Sequence, residues 1–196
     1  MWTKEILGTD VLHLTQAFIM YSMLGWLVES VYMSFCNKKL TNRGFATCPM
    51  CPIYGFGGVI GYMVLHPLSD HKVALYIAGA ILATTFEYLV ARLMEKTLGE
   101  VWWDYSEKPL NYRGVICAES TLAWGVYAIV VVCYLQNFLM RTVDRIPTRF
   151  SILSCRVIIA IYLFDFVYHL ALALGVNMRG YWDRAKETYR SFRARW

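Results

Sequence analysis

The sequence predicts an all-α, polytopic integral membrane protein of about five transmembrane helices, built on a parallel two-helix internal repeat plus a fifth helix. Of its 196 residues, 58% are hydrophobic and only 17% are charged, whereas soluble domains average about 25% charged residues. Hydropathy is concentrated in segments of membrane-spanning length, and two parts of the chain resemble each other. Helices follow because a spanning segment in hydrocarbon has to satisfy its own backbone hydrogen bonds. A soluble enzyme is excluded.

Windowed hydropathy defines five predicted spans, at about 13–35, 53–69, 73–95, 115–140 and 151–177. The second is short and rich in glycine, which suits close helix packing or a partly broken helix. We therefore expect a single membrane domain over residues 1–196, with repeat one at about 13–69, repeat two at about 73–140, the fifth span at about 151–177 and a basic amphipathic cytoplasmic tail at 178–196.

The distribution of Lys and Arg predicts the orientation in the membrane. With five spans, one side carries twelve of these residues and the other carries five. Because basic residues near span ends resist translocation, the N-terminus is expected outside and the C-terminus in the cytoplasm. The tail combines basic and aromatic residues, a composition that suits an anionic leaflet and is also typical of a plain basic anchor.

An internal repeat relates the two halves of the first four spans. Trp26-Leu-Val-Glu29-Ser recurs as Arg92-Leu-Met-Glu95-Lys, and Asn42-Arg43-Gly44 recurs as Asn111-Tyr-Arg113-Gly114. An aromatic-glycine pair follows in each copy, Tyr54-Gly55 in the first and Trp124-Gly125 in the second. Two spans per copy return the chain to the same side, so the copies are expected to run parallel, related by a pseudo-two-fold axis along the membrane normal.

Acidic residues inside the predicted spans are the main candidates for function, because each costs several kcal/mol unless it is paired or hydrated. Helical spacing places Glu87 and Glu95 on one face, and the connections are expected to bring Arg43 and Arg113 near Glu29 and Glu95. The candidate site for an anionic small molecule or lipid headgroup consists of Glu29, Asn42, Arg43, Tyr54, Glu87, Glu95, Trp103, Asp104, Asn111, Arg113, Glu119 and Trp124. Alternatively, Glu–Arg pairs only lock the helices together.

Metal and nucleotide chemistry have little support in the sequence. Cys48-Pro-Met-Cys51 has the spacing of a dithiol or of half a zinc site, but no second pair with ligand spacing follows. We therefore expect no metal and no cofactor. The 196 residues contain no Gly-x4-Gly-Lys-Ser/Thr run, so hydrolysis of ATP by that route requires a partner.

Several longer runs resemble a family of bacterial membrane proteins, the putative ABC-transporter type IV (CmpB-like) permeases. The matching runs are Gly25-Trp26-Leu-Val-Glu29, Asn42-Arg43-Gly44-Phe45, Pro52-Ile53-Tyr54-Gly55, Glu95, Trp102-Trp103-Asp104-Tyr105-Ser106, Asn111 to Cys117, and Trp124-Gly125. They lie in the family's order over about 16–125. The family usually has Gly-Pro where this chain has Cys48-Pro49, which argues against a required thiol. The resemblance implies a transport role in the bacterial cytoplasmic (inner) membrane.

Three functions remain open from the sequence. A transporter or permease subunit would need an ATPase partner or an ion gradient, and an oligomer that encloses a path. A membrane enzyme acting on a lipid or polyprenyl phosphate would hold the phosphate with Arg43 and Arg113 and use an acidic residue as general base. A non-catalytic accessory subunit would need neither. The expected partners are membrane lipids, with a homo-oligomer and an ATPase left open and no nucleic acid.

Overall fold

The computed structural model describes residues 2, 5–6, 9–99 and 101–176. The basic tail predicted at 178–196 lies outside the described residues. Apart from a short antiparallel pair of two-residue strands, β1 (Glu5–Ile6) and β2 (Thr9–Asp10), the regular structure of the described residues is helical. The predicted all-α class is confirmed for this part of the chain.

The described residues form six α-helices. They are α1 (Val11–Asn37), α2 (Pro52–Leu65), α3 (Lys72–Leu98), α4 (Ala118–Val130), α5 (Gln136–Val143) and α6 (Thr148–Ala173). A 3-10 turn, His66–Leu68, follows α2. A π-helical turn, Val131–Leu135, joins α4 to α5, so that Ala118–Val143 is one continuous helix.

Four helices of the described chain are long and apolar enough to cross a membrane: α1, α3, the continuous α4–α5 helix and α6. They confirm four of the five predicted spans and make this a multi-pass membrane protein. The span predicted at 53–69 coincides with α2 and its 3-10 turn. With 14 residues, α2 is about 21 Å long, shorter than a hydrocarbon core of about 30 Å.

Local sequence signals explain where the long helices begin and end. The side chain of Asp10 accepts a hydrogen bond from the His13 amide at 2.9 Å and caps the start of α1. Both α1 and α3 end at a left-handed residue, Lys38 with φ 50° and Gly99 with φ 76°. Pro52 begins α2, where its missing N–H costs nothing. Cys117 caps α4 through a reciprocal pair of bonds with Ser120.

The helices pack as two antiparallel pairs, α1 with α2 and α3 with α4, while α5 and α6 both contact α1. Small residues let the pairs approach closely. Gly79 faces Ala128 between α3 and α4, and Gly25 faces the ring of Tyr54 between α1 and α2. Many large apolar side chains stay exposed around the outside of the bundle, as expected for surfaces that face lipid.

The two connections that follow α1 and α3, loop 1 (38–51) and loop 2 (99–117), fold back into the bundle. The Cys51 amide donates to the Ser22 carbonyl at 2.9 Å, about four turns before α1 ends. Loop 1 is also fixed to α6, because the Cys48 amide donates to Asp165 at 2.6 Å. Irregular backbone at this depth is tolerated only inside protein or beside water. As a result, α2 and α4 begin inside the bundle.

Candidate functional site

The first carboxylate, Glu29 on α1, interacts with α2 and loop 1. Its Oε1 accepts a hydrogen bond from the Tyr54 hydroxyl at 2.7 Å. Its Oε2 lies 3.6 Å from Nε of Arg43. The Arg43 backbone is fixed by its amide, which donates to the Ser30 hydroxyl at 3.2 Å. Both ionic side chains are about one third exposed, 32% for Glu29 and 29% for Arg43, so this pair is accessible.

The second carboxylate, Glu87 on α3, is only 4% exposed. Its oxygens accept hydrogen bonds from the Tyr105 hydroxyl at 3.0 Å, the Trp124 indole at 3.0 Å and the Ser120 hydroxyl at 3.4 Å. Burial, followed by the nearby Glu87 carboxylate, raises the pKa of Tyr105, which keeps its hydroxyl a donor. Three neutral donors therefore satisfy this carboxylate without a cation.

The two carboxylates belong to one network, which we call the carboxylate cluster and define as Glu29, Arg43, Tyr54, Glu87, Tyr105, Ser120 and Trp124. The rings of Tyr54 and Trp124 lie 6.1 Å apart between their centroids. Loop 1 reaches loop 2 where Arg43 Nη2 donates to the Trp102 carbonyl at 3.2 Å. Beside it, Phe45 stacks on Trp102 at 4.2 Å. The cluster therefore joins both helix pairs and both loops.

Asn42 and Trp103, both predicted as site residues, hold the backbone of their loops. Asn42 accepts hydrogen bonds from the Trp26 indole at 2.6 Å and from the Gly44 amide at 3.0 Å. The indole of Trp103 donates to the Val115 carbonyl at 2.8 Å. These contacts fix the course of loop 1 beside α1 and close loop 2 on itself.

Asp104 and Asn111 shape the exposed part of loop 2. The hydroxyl and amide of Ser106 donate to Asp104 at 2.6 and 2.9 Å and hold the pKa of its carboxyl below the usual value. Asn111 donates to the carbonyl oxygens of Ser106 and Lys108 and accepts from the Gly114 amide at 3.1 Å. Their polar groups are thus engaged within the loop.

Three further predicted site residues make their contacts elsewhere. Glu95 pairs with Arg92 on the same helix, rather than with Arg113. The Arg113 guanidinium lies over the Tyr112 ring, 5.7 Å from its centroid, and is in no ion pair among the described residues. Glu119 pairs with Lys108 at 2.8 Å and raises the pKa of that lysine. A binding role for these three stays a prediction.

Sequence reasoning missed two members of the carboxylate cluster, Tyr105 and Ser120. Tyr105 lies in the Trp102-Trp103-Asp104-Tyr105-Ser106 run, and Ser120 stands three residues after Cys117, at the spacing of a helix cap. The internal comparison aligned Glu29 with Glu95. By its contacts to the following helix, Glu87 occupies the place that corresponds to Glu29, although superposition of the two halves stays a prediction.

The Cys48 and Cys51 pair lies against protein rather than in an open site. Burial raises the pKa of the Cys51 thiol to about 12, and burial also raises the pKa of Cys48. A thiolate, the form that binds metal or attacks a disulfide, is disfavoured at both positions. Within residues 9–99 and 101–176, no group of three or more His, Cys, Asp or Glu side chains is placed to hold a metal ion.

Comparisons with known proteins give one family. The family model described as "Putative ABC-transporter type IV" matches residues 16–170, a range that contains the whole carboxylate cluster and most of the helical bundle. Searches of curated proteins and of solved structures found no match to the chain. Because the family model covers well over half of the sequence, this chain belongs to the putative ABC-transporter type IV family.

Proposed function

We propose that the chain is the membrane subunit of a transporter and that its carboxylate cluster binds the anionic group of a small molecule or lipid headgroup at the cytoplasmic leaflet. The family and the four long apolar helices support the first half of this proposal. The arrangement of polar groups around Arg43 supports the second half.

The observation that carries the binding proposal is the unused donor of Arg43. Its Nε is buried and has no hydrogen-bond partner among the described residues, and the nearest Glu29 oxygen is 3.6 Å away, too far for a good hydrogen bond. A buried donor without a partner costs roughly 1–3 kcal/mol. The side chain is 29% exposed, so a phosphate or carboxylate that turns this guanidinium outward would supply that partner, with the planar, two-pronged geometry that arginine favours.

The half-buried starts of α2 and α4 favour the same place. Both helices begin inside the bundle, at Cys51 and Cys117, next to Tyr54 and Ser120 of the carboxylate cluster. Helix N-termini carry a partial positive charge. Transporters place the ends of such interrupted helices around the substrate.

If ATP drives transport by the P-loop route, its hydrolysis has to come from outside these 196 residues, because they contain no P-loop run. We propose that an ATPase module outside these residues supplies the energy. The N-terminus of this chain lies outside in this proposal, and loops 1 and 2 lie on the cytoplasmic side, where the ATPase can bind. The location is the bacterial cytoplasmic (inner) membrane. Purification from native membranes at natural expression level should yield a P-loop ATPase in a fixed molar ratio to this chain.

A matched pair of arginine variants tests the binding site. We would measure the melting temperature of the purified full chain with increasing inorganic phosphate and sn-glycerol 3-phosphate. A ligand at about 100 times its Kd stabilises the folded state by about 2.7 kcal/mol, so the wild type should melt at a higher temperature. In Arg43→Lys the ligands should no longer raise the melting temperature, because lysine lacks the planar set of N–H donors of a guanidinium. Arg149→Lys, at an exposed position in the first turn of α6, is the control, and the ligands should still raise its melting temperature.

Two results would contradict the proposed site. The first is a melting temperature of the wild type that neither anion changes. The second is an equal rise in wild type and Arg43→Lys, which would make Arg43 a purely structural link between Glu29 and the loop 2 backbone.

A further inference from the structure

A groove of about 750 Å³ runs along the outer face of α1 and ends at loop 1. Its walls include the apolar side chains of Leu27, Val31 and Phe35, which are 48%, 47% and 80% exposed. These positions follow one another at helical spacing and form a stripe about 12 Å long. Lys39 and Asn42 line the loop 1 end. The groove is therefore apolar along the helix and polar, with a positive charge, at its end.

Two residues that line the groove also adjoin the stretch of chain that carries Arg43. Asn42, which lines the groove, is bound to the Trp26 indole, and the next residue is Arg43. Ser30 also lines the groove, and its hydroxyl accepts the Arg43 amide at 3.2 Å. The polar end of the groove and the guanidinium with the unused donor thus lie on two sides of the same short stretch of chain.

We infer that the α1 groove holds an anionic phospholipid, with one acyl chain along the apolar stripe and the headgroup at the end lined by Lys39 and Asn42. The inference goes beyond the proposed function, because Arg43 does not line this groove. The volume fits, because sites for small molecules span about 300–1,000 Å³. The charge also fits, since Lys39 adds a cation to the headgroup end, where a zwitterionic or neutral lipid would gain little.

A helix of a second copy or of a partner subunit is a different occupant for the same groove. An apolar helix in the groove would leave the charge of Lys39 unpaired. An amphipathic lipid matches the apolar stripe with its acyl chain and the cation with its anionic headgroup. Phe35, 80% exposed, and Leu40, 98% exposed, also project apolar surface at the level where headgroups meet hydrocarbon.

The test uses the full chain in detergent and native mass spectrometry, titrated with phosphatidylglycerol and with phosphatidylcholine of the same acyl chains. The wild type should bind phosphatidylglycerol more tightly. Val31→Trp should fill the groove and weaken phosphatidylglycerol binding about tenfold. Val167→Trp is the matched control, because Val167 is 59% exposed and lies as far from the end of α6 as Val31 lies from the end of α1.

A second pair of variants tests the charge. Lys39→Gln should weaken phosphatidylglycerol binding about fivefold, the effect of one lysine near an anionic surface, and should leave phosphatidylcholine unchanged. Lys96→Gln, at an exposed position in the last turn of α3, is the control and should have no effect.

The outcomes separate this inference from the proposed function. If Val31→Trp and Val167→Trp bind phosphatidylglycerol equally well, or if both lipids bind the wild type equally, the groove does not hold an anionic lipid. Phosphate stabilisation that still depends on Arg43 would then leave the proposed site standing. A doubled mass in native spectra that Val31→Trp abolishes would instead assign the groove to a second copy and overturn the inference.

Discussion

The two helix–loop–helix units, α1–loop 1–α2 and α3–loop 2–α4, share one architecture but differ in the groups that surround their carboxylates. In each, a helix of 27 residues ends in a left-handed residue, a loop folds back into the bundle, and a cysteine precedes the next helix. In each, a carboxylate of the long helix accepts a hydrogen bond from an aromatic side chain of the following helix.

The difference between the units lies in how their carboxylates are satisfied. Glu87 is closed off and has three neutral donors, whereas Glu29 is one third exposed and shares its surroundings with an arginine whose Nε is unpartnered. A buried network in which every donor and acceptor is hydrogen-bonded rigidifies a structure. A network with an unpaired donor can still form a hydrogen bond to a further partner. The second unit is therefore suited to support, and the first to binding.

The largest expected effect concerns the side of the membrane on which the two loops lie. If the units are parallel, Leu40→Cys in loop 1 and Glu107→Cys in loop 2 should resist an impermeant maleimide in intact cells, and Arg145→Cys after α5 should react. All three should react after permeabilisation. Labelling of loop 1 without loop 2 would break the comparison, and labelling of both loops without Arg145→Cys would invert the predicted orientation.

The next effect is the difference in stability between the two carboxylates. Glu87→Leu removes the common acceptor of Tyr105, Ser120 and Trp124 and should cost about 3 kcal/mol or more in the free energy of unfolding. Glu29→Leu should cost about 1 kcal/mol, because Tyr54 alone loses a close hydrogen bond and Arg43 is partly exposed. Reversible unfolding in detergent measures both values. Equal losses would show that the second unit has no special supporting role.

A smaller effect tests the contact that positions Tyr54. A methyl group on Gly25 would overlap the Tyr54 ring, so Gly25→Ala should lower the free energy of unfolding by about 1–3 kcal/mol. Gly61→Ala on α2 is the control, because nothing lies within 4 Å of its added methyl group. Alanine is favoured over glycine there by about 0.5–1 kcal/mol. If both variants were equally stable, α1 and α2 would pack less closely than described.

The smallest effect is a pH dependence from the cysteine before α2. Burial raises the pKa of Cys51 to about 12 from a usual 9.0, so above pH 9 the unfolded chain loses a proton that the folded chain keeps. Stability should fall as pH rises through this window, by about 1 kcal/mol between pH 8 and 9.5. Cys51→Ala should show a shallower loss over the same range by the same unfolding measurement. An unchanged slope would mean that the thiol is not buried.

The helices were predictable from the sequence because apolar length alone determines which segments can enter a membrane. Predicted spans at 73–95, 115–140 and 151–177 match α3, α4–α5 and α6 within a few residues. The predicted second span at 53–69 ran past Leu65, because a hydropathy window averages over His66 and Pro67, where the backbone switches to a 3-10 turn.

The site was only partly predictable. The contacts of Glu29 with Arg43 and Tyr54 could be expected, because the first helix–loop–helix unit places these residues in order along one hairpin. The partners of Glu87 could not, since hydropathy presents loop 2 as an external connection and gives no sign that Tyr105 turns inward. Glu95 was assigned to the cluster by its spacing from Glu87, but Arg92 lies three residues away on its own helix and competes for it.

The π-helical turn at 131–135 lets one continuous helix serve two different partners. Before it, Ala128 of α4 faces Gly79 of α3, and after it, Gln136 accepts a hydrogen bond from Tyr21 of α1. A π turn absorbs one more residue than an α turn, so the helix beyond it keeps the orientation of a plain α-helix that is one residue shorter. Deleting one residue inside 131–135 should thus restore plain α-helix with both faces in phase, whereas a deletion at 121–124 should swing Ser120 away from Glu87. Single-residue insertions and deletions in this span are expected to be tolerated at that one turn.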